Sequence, residues 1–141
     1  MNAPRTALVV DDEDQLLRLI ARVIKRAGGR ALTAETGAAA REVFAANRDE
    51  IGIILLDVTM PGGDGAENML SEFVAERPDL HVIVTSGDLL PPGLEADLNR
   101  VGGAFLKKPF VPKTLLRLLE EINSHPEAAL ASSAQAAPGI S

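Results

Sequence analysis

The chain alternates between short, unbroken apolar runs and longer stretches whose apolar residues recur every three or four positions. Thr6–Val10 (TALVV) is the pattern of a strand covered on both faces, and it stops at Asp11-Asp12. From Asp14 onward, Leu16, Leu17, Ile20, Val23, Ile24 and Ala27 share one helical face, and Gly28-Gly29 supplies a left-handed stop. Residues 31–34 predict a short second strand, and residues 38–46 an alanine-rich helix carrying Val43 and Phe44. The strongest strand pattern is 51–56 (IGIILL), which ends on Asp57. The breaker cluster Met60-Pro61-Gly62-Gly63-Asp64-Gly65 predicts a turn, and Met69, Leu70, Phe73 and Val74 mark a helix that must end before Pro78. Residues 81–85 (HVIVT) predict a fourth strand, closed by Ser86-Gly87-Asp88. Pro91-Pro92-Gly93 leads to a helix over about 94–100, Gly102-Gly103 ends it, and 104–106 form a short fifth strand. Pro112 suits the first position of a last helix, whose Leu115, Leu116, Leu118, Leu119 and Ile122 make one apolar stripe.

Five strands alternating with five helices imply right-handed crossovers and a parallel sheet covered on both faces, a doubly wound α/β fold. A length of 141 residues suits one domain. It is expected over residues 1–124, with 125–141, an Ala/Ser/Pro mixture lacking aromatic residues, as a disordered tail. Fourteen Lys and Arg against 20 Asp and Glu give a net charge of −6, the opposite of a nucleic-acid-binding footprint. Four Phe and no Trp or Tyr leave little for base stacking. The absence of Cys excludes disulfides, thiol catalysis and thiolate metal sites, and fits a reducing cytoplasm. No apolar run approaches the ~20 residues of a membrane helix, and the start of the chain lacks the hydrophobic region of a secretory signal. The expectation is a soluble, cytoplasmic protein with neither membrane nor nucleic acid as partner.

In open α/β sheets ligands bind beyond the carboxyl ends of the strands. Polar residues stand at those ends here: Asp11 and Asp12 after the first strand, Asp57 after the third, Ser86 after the fourth, Lys107 and Lys108 after the fifth. Each has an ordinary reading alone. The Asp pair could cap a helix, Asp57 could be a solvated strand end, Ser86 could serve the turn and the lysines the surface. Together, three carboxylates without a nearby His or Cys make a hard oxygen site suited to Mg²⁺. Asp57 is then either a ligand or a carboxylate nucleophile able to accept a phosphoryl group. Mg²⁺, the Lys108 ammonium and the Ser86 hydroxyl could neutralise charge on the transferred group.

Four segments carry a resemblance: Leu8 to Glu13 (LVVDDE), Leu55 to Gly65 (LLDVTMPGGDG), Val84 to Gly87 (VTSG) and Phe105 to Phe110 (FLKKPF). In this order they resemble the signature of the receiver domain of bacterial two-component response regulators, over about residues 6–123. The resemblance implies a flavodoxin-like strand order of 2-1-3-4-5, as in the chemotaxis receiver. It also implies that Asp57 is the phosphoacceptor, and that Asp11, Asp12, Asp57 and the backbone carbonyl of Thr59 hold Mg²⁺. Lys108, which directly precedes Pro109 in a peptide commonly cis in receivers, would bind the phosphoryl oxygen, with Lys107 the competing assignment. Ser86 matches the switch hydroxyl, with Thr85 the alternative. Phe105 matches the switch aromatic, although core packing alone would also explain it. Thr59 and Asp88 match variable positions that tune how long the phosphoryl group lasts. His81 and His125 have no expected role.

The expected function is that of a stand-alone receiver, phosphorylated by a histidine kinase or histidine phosphotransfer protein. It would switch a partner through the face of the fourth helix, fifth strand and fifth helix, as a monomer or a phosphorylation-dependent homodimer. Such a receiver is not an enzyme beyond promoting its own phosphorylation and dephosphorylation. The alternatives are a receiver-like binding module that is not phosphorylated, and a Mg²⁺-dependent aspartyl-phosphate phosphohydrolase. The latter would place a second Asp two residues after the nucleophile, where Thr59 stands.

Overall fold

The computed structural model describes residues 5–58 and 66–124. Along the chain run β1 (Thr6–Val10), α1 (Asp14–Arg26), β2 (Arg30–Ala34), α2 (Gly37–Ala46), β3 (Ile51–Asp57), α3 (Ala66–Glu76), β4 (His81–Ser86), α4 (Pro92–Arg100), β5 (Ala104–Lys107) and α5 (Pro112–Ser124). The strands form one parallel sheet in the order β2-β1-β3-β4-β5. The chain therefore winds one way from β1 to β2, then returns across β1 and continues through β3 to β5. That reversal opens a crevice at the carboxyl ends of β1 and β3. Among the described residues no helix is long and apolar enough to cross a membrane. The turn expected at 60–65 and the tail expected at 125–141 lie outside the described residues.

Alternation along the central strands divides the core in two. Ala7, Val9, Ile53, Leu55 and Ile83 face one side, where α1 brings Leu17, Ile20 and Ile24 and α5 brings Leu115, Leu119 and Ile122. Leu8, Val10, Ile54, Leu56, Val82 and Val84 face the other, against Phe44 of α2, Met69 and Phe73 of α3, and Leu94 and Leu98 of α4. Phe44 and Phe73 stack with ring centroids 4.5 Å apart. Each buried Leu, Ile or Phe contributes about 1.5–3 kcal/mol, so the central strands are the most strongly fixed part of the molecule, and the groups at their ends inherit that rigidity.

Several elements are longer than their apolar patterns. β2 starts at Arg30, which pairs with Thr6. β5 reaches Lys107 and β4 reaches Ser86, because these two residues pair with each other and Lys108 N–H then donates to Ser86 O (2.8 Å). Ser86 thus closes a strand rather than occupying the turn after it. α2 begins at Gly37 because the Thr36 hydroxyl accepts the Ala39 N–H (3.0 Å), satisfying one of the helix's free donors. α4 begins at Pro92, a residue already fixed at a helical φ.

Candidate functional site

The strand ends bring Asp11, Asp57, Ser86 and Lys108 together. Asp11 follows β1 directly, and its N–H donates to Ala34 O of β2 (3.1 Å). Asp57 is the last residue of β3, paired with Thr85, and Val58 N–H donates to Thr85 O (2.9 Å). Both carboxylates are almost completely enclosed, at 1% exposure for Asp11 and 2% for Asp57. Carboxylates are rarely buried unless paired or committed to a ligand.

The nearby cation is Lys108. Its ammonium donates to Asp11 Oδ2 at 2.9 Å, lies 3.4 Å from Asp57 Oδ1 and reaches Glu13 Oε1 at 3.7 Å. Lys107, the preceding residue, is exposed at the end of β5. The edge of the sheet thus separates the two lysines, and the one whose amine lies beside Asp57 is Lys108. The Lys108-Pro109 peptide is cis. Asp11 Oδ1 accepts the Glu13 N–H (2.9 Å), so its second oxygen is also engaged. Glu13 occupies the N-cap position of α1 with no side-chain capping bond. The Asp pair is therefore not an ordinary helix cap.

Burial pushes the Asp11 carboxyl above its usual value, and the charge of Asp57 adds to this. The Glu13 N–H and Lys108 oppose the shift without cancelling it. Burial alone would lower the Lys108 ammonium. Its bond to Asp11 and the charges of Asp11 and Asp57 outweigh that, and hold it above the ordinary lysine value. Lys108 stays a cation across the physiological range.

Ser86 is 1% exposed, and its hydroxyl accepts the Asp88 N–H at 3.1 Å. This bond ties the start of the β4–α4 loop back onto the strand end. A Cβ placed on Gly87 would meet nothing within 4 Å, so the approach past Ser86 is open. Thr85 is buried in β4 beside Asp57. Phe105 is half-buried in β5, packed against the α2–α3–α4 side of the core. Thr59 lies outside the described residues, and so does His125.

Asp11, exposed Asp12 and buried Asp57 each offer a carboxylate oxygen within 4.8 Å of the others. The donors are all oxygen, the preference of a hard divalent cation. Three carboxylates and one ammonium sum to a formal charge of −3 + 1 = −2, which one such cation balances. The residues present fit Mg²⁺.

Sequence reasoning missed three features around this arrangement. The Ser86–Asp88 tie could have been anticipated, because Ser two residues before a free N–H in a Gly-Asp turn commonly forms it. Thr36 as the cap of α2 was signalled by Thr beside a run of helix formers. The enclosure of His81, 5% exposed at the start of β4, had no signal, because it depends on tertiary packing rather than on a local pattern.

Comparison with known proteins gives the arrangement a family. Residues 7–120 match the model of the response regulator receiver domain. The chain is 31% identical over 116 residues to the probable transcriptional regulatory protein TcrX of Mycobacterium tuberculosis, covering 82% of this chain and 48% of TcrX. It is also 31% identical over 125 residues to the sensor kinase CckA of Brucella abortus, covering 86% of this chain and 13% of CckA. The chain thus spans less than half the length of these relatives. A CheY-like receiver domain from Methanospirillum hungatei JF-1 superimposes with a TM-score of 0.74 at 22% identity, over 88% of this chain and 97% of that one. CheY from Borrelia burgdorferi, solved as a complex of CheX, CheY, BeF₃ and Mg²⁺, gives a TM-score of 0.70 at 28% identity, over 81% and 85% of the two chains. With the sheet order, the acidic crevice and a family match over most of its length in agreement, the chain belongs to the response regulator receiver domain family.

Proposed function

We propose that Asp57 accepts a phosphoryl group from a phosphohistidine of a histidine kinase or phosphotransfer protein, and that the resulting charge switches the binding of a downstream partner. One observation supports this most strongly: Asp57 is held at the end of a strand buried along its whole length, with the Lys108 ammonium 3.4 Å away. An Asp57 carboxylate oxygen forms the O–P bond as the donor's P–N bond breaks. The electron pair of that bond stays with the imidazole nitrogen, which then takes up a proton. Mg²⁺, held by Asp11, Asp12, Asp57 and the Thr59 carbonyl, would supply charge neutralisation at the phosphoryl oxygens. Lys108 orients and stabilises the same oxygens from the β5 side.

The switch follows from the bonds already present. A phosphoryl group brings about 1.5–2 negative charges and three acceptor oxygens, and these attract the Ser86 hydroxyl away from the Asp88 N–H. Once that tie opens, the β4–α4 loop is released. Phe105 then moves further inward, reshaping the surface of α4, β5 and α5. The Leu89 side chain, 84% exposed in that loop, moves with it.

The test is incubation with acetyl phosphate or phosphoramidate, with and without Mg²⁺, read by intact mass. An acid-stable, base-labile gain of one phosphoryl group is expected only with Mg²⁺ present. Retention of the gain in Asp57→Asn would overturn the acceptor assignment. Unchanged Mg²⁺ affinity in Asp12→Ala would overturn the metal assignment.

A further inference from the structure

Among the described residues, two large apolar side chains stand in solvent, Leu89 at 84% exposure and Val111 at 61%. Leu89 lies three residues after Ser86, in the loop that borders the acidic crevice. It is the tip of a short strap, residues 87–89, whose two ends are fixed. Ser86 pairs with Lys107 in the sheet, and Leu90 packs into the core on the α2–α3–α4 side. The strap is held down by the bond from the Asp88 N–H to the Ser86 hydroxyl (3.1 Å). Leu89 follows one peptide further on, about 3.8 Å between Cα atoms. Gly87 has no side chain to restrict its backbone and open space where a Cβ would stand, so it serves as the hinge.

We propose that Leu89 is a lid that closes over the crevice once Asp57 is phosphorylated and slows loss of the phosphoryl group, an inference that rests on the reading of Asp57 as acceptor. In that loss, a water oxygen bonds to phosphorus as the P–O bond to Asp57 breaks. The electron pair stays with the Asp57 carboxylate, inorganic phosphate leaves, and the water's proton passes to solvent. Asp57 is almost completely enclosed, so the open approach past Gly87 is the path for that water. Drawing the Ser86 hydroxyl to the phosphoryl group frees the Asp88 N–H, and the added negative charge pushes the exposed Asp88 carboxylate outward. Successive side chains of an extended segment point to opposite sides. The same rotation about Gly87 therefore turns Leu89 inward. Closure removes its apolar surface from water, which favours the closed form, and shuts the path by which water reaches the phosphorus. Before phosphorylation the tie to Ser86 keeps Leu89 out, and the crevice stays open to the phosphodonor.

The experiment labels the full chain with acetyl phosphate and Mg²⁺, removes the donor by rapid desalting, and follows loss of the phosphoryl group by intact mass at constant Mg²⁺. Leu89→Ser should lose it at least about threefold faster than the wild type. Leu89→Met keeps the apolar bulk and should restore the wild-type rate. Val111→Ser removes the other exposed apolar side chain and should leave the rate unchanged. All three side chains replaced are exposed, so the variants should unfold at the wild-type urea midpoint. Equal lifetimes in the wild type and Leu89→Ser would overturn the lid while leaving Asp57 as the acceptor. So would a lifetime in Leu89→Met as short as that in Leu89→Ser, or an equal shortening in Val111→Ser. Absence of any label on the wild type would overturn the acceptor reading and the lid with it.

Discussion

The two ends of the sheet treat buried polar groups in opposite ways. At the carboxyl end, Asp11 and Asp57 are enclosed around a single shared ammonium, and the space above Gly87 is open. At the amino end the charged groups pair with each other near the surface or pack against the backbone. Arg77 donates to both Asp79 oxygens at 2.9 Å and also to Arg48 O. Arg5 lies across Gly52, where a Cβ would sit 3.2 Å from its side chain. His81 is 5% exposed in β4, and burial, with the Arg5 charge beside it, lowers its pKa to about 4. The carboxyl end gathers three carboxylates around one ammonium, whereas the amino end pairs Arg77 with Asp79 and packs Arg5 over Gly52, with Arg5 Nε buried and without a hydrogen-bond partner among the described residues. A site is recognised here by what the fold leaves uncompensated.

The first way to break this comparison is to remove the shared cation. Lys108→Ala leaves two nearly inaccessible carboxylates facing each other, and should cost about 3 kcal/mol in urea unfolding at neutral pH without Mg²⁺. The same change in an Asp57→Asn background should cost clearly less. Equal losses in the two backgrounds would mean that Lys108 matters only for packing.

A second prediction concerns pH, where the two ends have opposite signs. The folded-state pKa of His81 lies below its ordinary 6.5, so the unfolded chain binds the proton more readily. Stability should therefore fall as pH drops from 6.5 towards 4, by about 3 kcal/mol at ~1.4 kcal/mol per unit. Asp11 behaves in reverse, because its raised pKa means that its charge costs stability at neutral pH and protonation relieves that cost. His81→Gln should flatten the slope between pH 4 and 6.5. A slope unchanged by that substitution would remove His81 from the account.

The third prediction tests space rather than charge. A Cβ on Gly29 would lie 2.6 Å from Arg5 O and 3.2 Å from Ile24, both fixed at the closed end. Gly29→Ala should lose about 2 kcal/mol, whereas Gly87→Ala at the open end should change stability by less than about 0.5 kcal/mol. The smallest effect is expected away from both ends. Thr36→Ala removes the cap of α2 and should cost about 1 kcal/mol, with phosphoryl labelling unchanged.

Much of this contrast was legible in the sequence, and unevenly so. β1, β3 and β4 were readable because strands covered on both faces need unbroken apolar runs, and TALVV, IGIILL and HVIVT supply them. β2 was faint because it is an edge strand with its first four residues partly or fully exposed, so its apolar signal is diluted. Asp11, Asp57 and Lys108 could be gathered in advance, since a parallel sheet places every strand's end on one side. The choice between Lys107 and Lys108 was not open to residue reasoning alone. It depends on where β5 ends, which the pairing of Lys107 with Ser86 decides. The amino-terminal end was least legible, because the enclosure of His81 depends on tertiary packing with no local pattern.

The central claim is that phosphorylation falls on one carboxylate among several neighbours. The most direct measurement is to treat the protein with acetyl phosphate and Mg²⁺, reduce the acyl phosphate with borohydride, and locate the modified residue by peptide mass spectrometry. The account predicts conversion of Asp57 alone to homoserine, while Asp11, Asp12 and Glu13 remain unchanged. Conversion at Asp11, Asp12 or Glu13, or none at Asp57, would contradict it.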